Sequence, residues 1–192
     1  MSLPQGFAAD PVPTDLQRVR DGVCCWFGGI YDPDTRSYRN PQVPGLGVVR
    51  RSRPKVAPDT DYYLGAPSSG SIAGAHMFVH LDTWTESRVA MSGAFDGLKL
   101  IQAACVLHVW LQSKAPHAED GQDAFYDLLD ALGDRIRQDR CMGTGGFEAG
   151  GFQCGEGGGP WITWQMEPAE VSSEVTAAYA SCSFNIHFYK QG

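Results

Sequence analysis

The sequence predicts an α+β domain: a mainly antiparallel sheet with a long hairpin, packed against one main amphipathic helix and a short N-terminal helix. Three observations predict it. Phe125, Leu128, Leu129, Leu132 and Ile136 recur at helical spacing between Asp123 and Asp139. Two long apolar stretches, His76–Met91 and Leu98–Gln112, are separated by a turn at Gly93–Gly97. The closing segment Ala177–Tyr189 alternates Cys182, Phe184, Ile186 and Phe188 with Tyr179, Ser181, Ser183, Asn185, His187 and Tyr189, the period of a strand with one apolar face.

Taken in order, Thr14 is a candidate N-cap for a helix that places Leu16, Val19 and Val23 on one side. From Gly28 to Pro67 the texture turns to Gly, Pro, Asp, Asn and Arg, with a turn at Tyr31–Arg36 and a short strand at Leu46–Arg51. This 28–67 stretch is expected to be an irregular, exposed excursion. The run from His76 begins apolar and then alternates, as a strand does when one end leaves cover. The next run ends with Val109 and Leu111 against His108 and Trp110. A helix from about Cys105 onward is the rival reading there. Pro116 and the polar residues from His117 to Gln122 stop that element, and acidic residues favour a helix start nearby. The 143–159 segment is a glycine-rich loop, after which Trp161–Pro168 opens a further strand. A single domain over residues 1–192 accommodates all of this.

Composition narrows the function. The chain is 43% hydrophobic and 19% charged, too apolar for disorder and lightly charged for a monomer surface, so part of that surface is expected to be covered by a partner. A net charge of -7 argues against duplex binding, which needs clustered cations. The one basic cluster, Arg50, Arg51, Arg53 and Lys55, reads either as a solvated, salt-bridging rim or as a contact for an acidic partner. No apolar run reaches the ~18 residues that span a bilayer, and residues 1–10 lack the charged and apolar regions of a signal peptide. A cytoplasm-like compartment is the expectation. Six cysteines, Cys24, Cys25, Cys105, Cys141, Cys154 and Cys182, have no framework spacing and read as buried free thiols.

Catalytic signatures are sparse. His76, His80 and Asp82 would share one face of a strand, but no second Cys/His cluster stands at motif distance to complete a metal shell. His108 and His187 lie opposite apolar stripes and read as polar tips on a sheet face. The runs Gly143–Gly151 and Gly155–Pro160 lack the Lys-Ser/Thr ending of a phosphate-binding loop. Glu119, Asp120, Asp127 and Asp130 sit at a helix start or on its wet face, where carboxylates need no catalytic explanation. The expectation is a protein without enzymatic activity or cofactor.

The strand Cys105-Val-Leu-His-Val-Trp-Leu, a polar break, the helix Asp123–Gln138 and the closing Ser183-Phe-Asn-Ile-His-Phe-Tyr form a pattern that, with the length and element order, resembles the tail-terminator (tail-completion) proteins of long-tailed phages and related tailed particles. Residues 98–189, about half the chain, carry the resemblance, in pattern more than in identity. It implies a structural virion subunit made in the host cytoplasm. Copies of the chain would form a hexameric ring at the head-proximal end of the tail tube, stopping tube growth and joining tail to neck. The implied partners are the chain itself, the tail-tube protein and a neck or head-completion protein, with no sequence-specific nucleic acid and no membrane. The 28–67 excursion and the 143–159 loop depart from compact members of that family and leave open another neck, head-completion or minor tail component. Loops would then carry specificity, with Arg50, Arg51 and Arg53 in the excursion and Phe147 and Phe152 in the glycine-rich loop as candidate contacts, and ring contacts would be heterologous.

Overall fold

The chain folds as an α+β structure with two helices and a mainly antiparallel sheet; the computed structural model describes residues 15–55, 73–92, 96–139, 141–142, 148–149 and 162–191. Helix α1 (Asp15–Gly28) buries Val19, Val23, Cys24 and Phe27, the side that the i, i+4 spacing of its apolar residues dictates. Thr14, its candidate N-cap, lies outside the described residues. Three short strands follow: β1 (Tyr31–Asp32), β2 (Ser37–Tyr38) and β3 (Leu46–Arg50). Then come the long strands β4 (Ala73–Ser92) and β5 (Asp96–Ser113). Helix α2 (Ala118–Gln138), the short strands β6 (Glu148–Ala149), β7 (Thr163–Met166) and β8 (Glu170–Val171), and the long β9 (Thr176–Gln191) complete the order.

Among the described residues these strands form one sheet, ordered β1-β2-β3-β4-β5-β9-β6, with β7 and β8 also pairing to the outer edge of β9. β4 and β5 pair antiparallel from Ala73 opposite Ser113 to Ser92 opposite Asp96. β9 runs antiparallel to β5 along the same length, Thr176 opposite Ser113 and Gln191 opposite Leu98. Only β3 on β4 is parallel. The stretch from Cys105 that could have been helical is therefore the middle of a central strand. Its odd-numbered residues from Ile101 to Ser113 are all buried while the even ones are half-buried or exposed, the period of two that a strand imposes.

Both helices cover one face of the sheet, α1 over β3 and β4, and α2 over β5 and β9. Beneath them Met77, Val79, Cys105, Leu107, Val109, Ala180, Cys182, Phe184 and Ile186 meet Phe27, Phe125, Leu128, Leu132 and Ile136 in one apolar core. The helices are clamped to each other at the surface. The Arg135 guanidinium lies 3.6 Å above the Trp26 ring, the Trp26 indole N–H donates to the Arg135 carbonyl at 3.0 Å, and Arg135 donates back to the Trp26 carbonyl at 3.3 Å.

Several sequence expectations change here. The segment at 28–67, which reads as an irregular exposed excursion, builds one side of the sheet over its described part: Tyr38, Val43, Leu46, Val48 and Val49 are buried. Their partners, chiefly α1 and β4, are remote in sequence, so local texture does not reveal the cover. α2 begins at Ala118, ahead of Asp123, and Gly121 in its first turn packs directly on the end of β5, where a Cβ would lie 2.9 Å from the Ser113 Cβ. Cys24, Cys105 and Cys182 are buried, but Cys25 and Cys141 are only half-buried; Cys154 lies outside the described residues. Burial pushes the Cys182 thiol up to about 12, so it stays protonated and inert at neutral pH.

Candidate interaction surfaces

The face of the sheet turned away from the helices carries a stack of rings. His76 on β4 is opposite Trp110 on β5, Phe78 is opposite His108, and Trp110 is opposite Tyr179 on β9. Directly paired side chains on one face of a sheet lie close enough to touch. The rings do so: His76 stacks on Trp110 with centroids 5.2 Å apart, Phe78 on His108 at 4.4 Å, and Trp110 leans on Tyr179 at 4.8 Å. His108 Nδ1 and the Tyr179 hydroxyl are 2.7 Å apart. Burial, then the neighbouring His80, then Arg53 hold His108 below the usual histidine range, so it is neutral at pH 7. A cleft of about 390 Å³ opens beside this stack, lined by Phe78, His108, Trp110 and Tyr179 with Arg53, Glu167 and Glu170 on its rim.

The three candidate arginines do not share one surface. Arg51 turns inward: its Nε is 3.1 Å from the carboxylate of buried Asp21 on α1, and its guanidinium lies 3.9 Å over the Tyr31 ring. It ties the β1–β2 corner to α1. Arg50, half-buried, donates from Nη1 to the Thr35 carbonyl at 3.3 Å and supports the β1–β2 turn. Arg53 is exposed and lines the ring-stack cleft on the opposite face. Phe147 and Phe152 lie outside the described residues.

The histidines also separate. His76 is buried in the ring stack, while His80 and Asp82 are exposed beside a register shift between Leu81 and Trp84. Among the described residues, no group of three or more His, Cys, Asp or Glu side chains is placed to hold a metal ion. His187 is buried and not a polar tip, because β6 lies alongside β9 at that register with Glu148 opposite it. His108 is half-buried within the stack.

No protein-family model matches this chain, and none of the curated proteins matches it. Among the described residues, no helix is long and apolar enough to cross a membrane.

A further surface comes from the length of β4. β3 pairs with it only as far as Phe78, and no other described strand meets its outer edge beyond that point. His80 and every residue from Asp82 to Arg88 are exposed, so this edge is wet on both faces. Trp84, at 52% exposure, sits in the middle of it. The edge carries Asp82, Glu86 and Arg88 and register shifts after Leu81 and Arg88, features that discourage indiscriminate strand addition and leave side chains to make any contact. The ring stack could have been found from sequence: aromatic and histidine residues at 76, 78 and 80, at 108 and 110, and at 179 occupy the alternate positions of three strands. What the sequence lacks is the register that aligns them.

Proposed function

We propose that this chain is a structural subunit of a tailed phage particle, forming a closed ring at the head-proximal end of the tail tube that terminates the tube and joins it to the neck. The observation that carries the reading is the β4 edge, exposed at His80 and from Asp82 to Arg88 around a half-exposed tryptophan. Such an edge is surface that an assembly covers. β5, α2 and β9 supply the strand–helix–strand unit on which the resemblance rests, with β9 laid directly against β5. In this reading β4 and β5 form one long hairpin, and α2 is the amphipathic helix that holds it to the core through Phe125, Leu128, Leu132 and Ile136. The mechanism is mechanical: the ring seats on the last ring of tube protein, occupies its growing end and presents a different face to the neck protein. No step in it needs a catalytic group, a cofactor, nucleic acid or a membrane.

Electron microscopy of the purified chain tests this. Six-fold rings are expected. Stable monomers would overturn the reading, and twelve-fold rings would move the assignment to a head-completion component.

A further inference from the structure

We infer that neighbouring copies meet head to tail, the free β4 edge of one copy lying across the ring-stack cleft of the next with Trp84 on the rings. The inference deepens the ring reading and rests on it. The edge has a polarity: Asp82, then Trp84, then Arg88, all exposed. Among the described residues neither Asp82 nor Arg88 has an ion-pair or hydrogen-bond partner, and Glu86 between them is neutralised by Lys99 at 2.7 Å.

The cleft has the opposite polarity. Arg53, just past the end of β3, stands on one side of it, and Glu167 and Glu170 stand beyond β9 on the other. Glu167 is held there by its N–H, which donates to the Tyr179 carbonyl at 3.1 Å, and Glu170 lies opposite Ala177 in β8. All three are exposed, and among the described residues none has an ion-pair partner. Between them lie Phe78, His108, Trp110 and Tyr179.

The two surfaces also match in length. Along the edge, Asp82 to Arg88 spans about 20 Å at the rise of a strand, with Trp84 about 7 Å from the Asp82 end. Across the sheet, the step from β3 over β4, β5 and β9 to β7 is four strand spacings, about 19 Å. Laid crosswise with Asp82 over Arg53, the edge sets Trp84 above Phe78 and Trp110, and Arg88 above Glu167 and Glu170. Aromatic pairs of this kind add to the area they bury, and tryptophan is a frequent anchor of interfaces. Laid the other way, the edge sets acid on acid and arginine on arginine. Both surfaces belong to one continuous strand, Phe78 in the cleft and Asp82 to Arg88 farther along it, so they cannot meet within a copy. A contact of unlike surfaces leaves each copy with one free surface of each kind, the condition for a ring.

Charge exchange tests both ends of the contact. Asp82→Lys in one chain and Arg53→Glu in another should each weaken ring formation about tenfold, read by sedimentation velocity. A one-to-one mixture should restore rings of alternating copies, because every junction again pairs opposite charges, and the double variant should restore them in one chain. Arg88→Glu and Glu167→Lys/Glu170→Lys should behave as a second such pair. Mixing Asp82→Lys with Glu167→Lys/Glu170→Lys should give no rescue, because half the junctions stay mismatched; rescue there overturns the contact. Circular dichroism confirms that each variant is folded; where a reversal unfolds the chain, Asp82→Asn, Arg53→Gln, Arg88→Gln and Glu167→Gln/Glu170→Gln replace it and should still weaken assembly. Unchanged assembly of the folded variants, or no rescue by the matched mixtures, overturns the contact while leaving the ring intact. A wild-type chain that forms no ring overturns both.

Discussion

Gly28 ends α1 where the chain comes closest to the sheet. A Cβ at this position would stand 2.4 Å from the Tyr38 Cβ and 2.7 Å from the Val49 Cβ, atoms fixed by the backbones of β2 and β3. Gly28→Ala should therefore cost about 2–3 kcal/mol through overpacking, seen as a lower urea midpoint at unchanged slope. Gly133, inside α2, is the contrasting case: a Cβ there would meet only the flexible end of Arg137 at 3.3 Å. Gly133→Ala should raise stability by about 0.4–1 kcal/mol, since the substitution removes freedom chiefly from the unfolded chain. His108 gives the molecule a pH dependence with a definite sign. Its folded value lies below the ordinary one, mainly through burial, with His80 and Arg53 adding repulsion and the Tyr179 hydroxyl in contact. As pH falls through about 6.5 the unfolded chain binds a proton that the native stack resists, so stability present at pH 7 is lost toward pH 5. His108→Gln should flatten that slope in urea titrations at several pH values; an unchanged slope would assign it to other groups.

At the scale of elements, what could be read in the sequence was what a single element carries within itself. The alternation of Cys182, Phe184, Ile186 and Phe188 is the buried side of β9 in the structure, and Leu46–Arg50 is a strand. What could not be read depended on partners. Tyr38 and Val49 lie in a Gly-, Pro- and Arg-rich stretch and are buried only because α1 and β4 come to them; His187 alternates as a polar position, yet lies in the sheet beside β6. The candidate contacts divided for the same reason: Arg51 and Arg53 are two residues apart and serve opposite sides of the sheet. The acidic line on α2, Asp120, Asp123, Asp127, Asp130 and Asp134, is exposed along its whole length. One consequence is measurable on α2 alone. Replacing Asp127 and Asp130 by Lys removes like-charge neighbours and should leave thermal stability unchanged or raised by about 0.2–0.5 kcal/mol per relieved pair. A loss of stability would mean that these carboxylates serve the monomer's fold.

At the scale of the whole molecule, the β4 edge separates what folding needs from what assembly needs. Trp84 faces the same side of the sheet as Ile101 and Phe188, beyond the start of α1, where a cleft of about 210 Å³ is also lined by Leu16. The Lys99–Glu86 ion pair, at 2.7 Å, bridges β4 and β5 beside it. Ile101 and Phe188 are buried, whereas Trp84 beside them keeps about half its surface in water. An exposed side chain of this kind contributes little to folding, and its truncation lies within about 0.5 kcal/mol in most cases. At the centre of an interface the same truncation costs about 2 kcal/mol or more, because aromatic anchors concentrate binding energy. Trp84→Ser should accordingly leave the unfolding midpoint of the dissociated chain near that of wild type while shifting ring formation to concentrations higher by about thirtyfold, measured by sedimentation velocity across a dilution series. If instead the midpoint falls and assembly is unaffected, Trp84 belongs to the monomer's core and the β4 edge is not a ring surface.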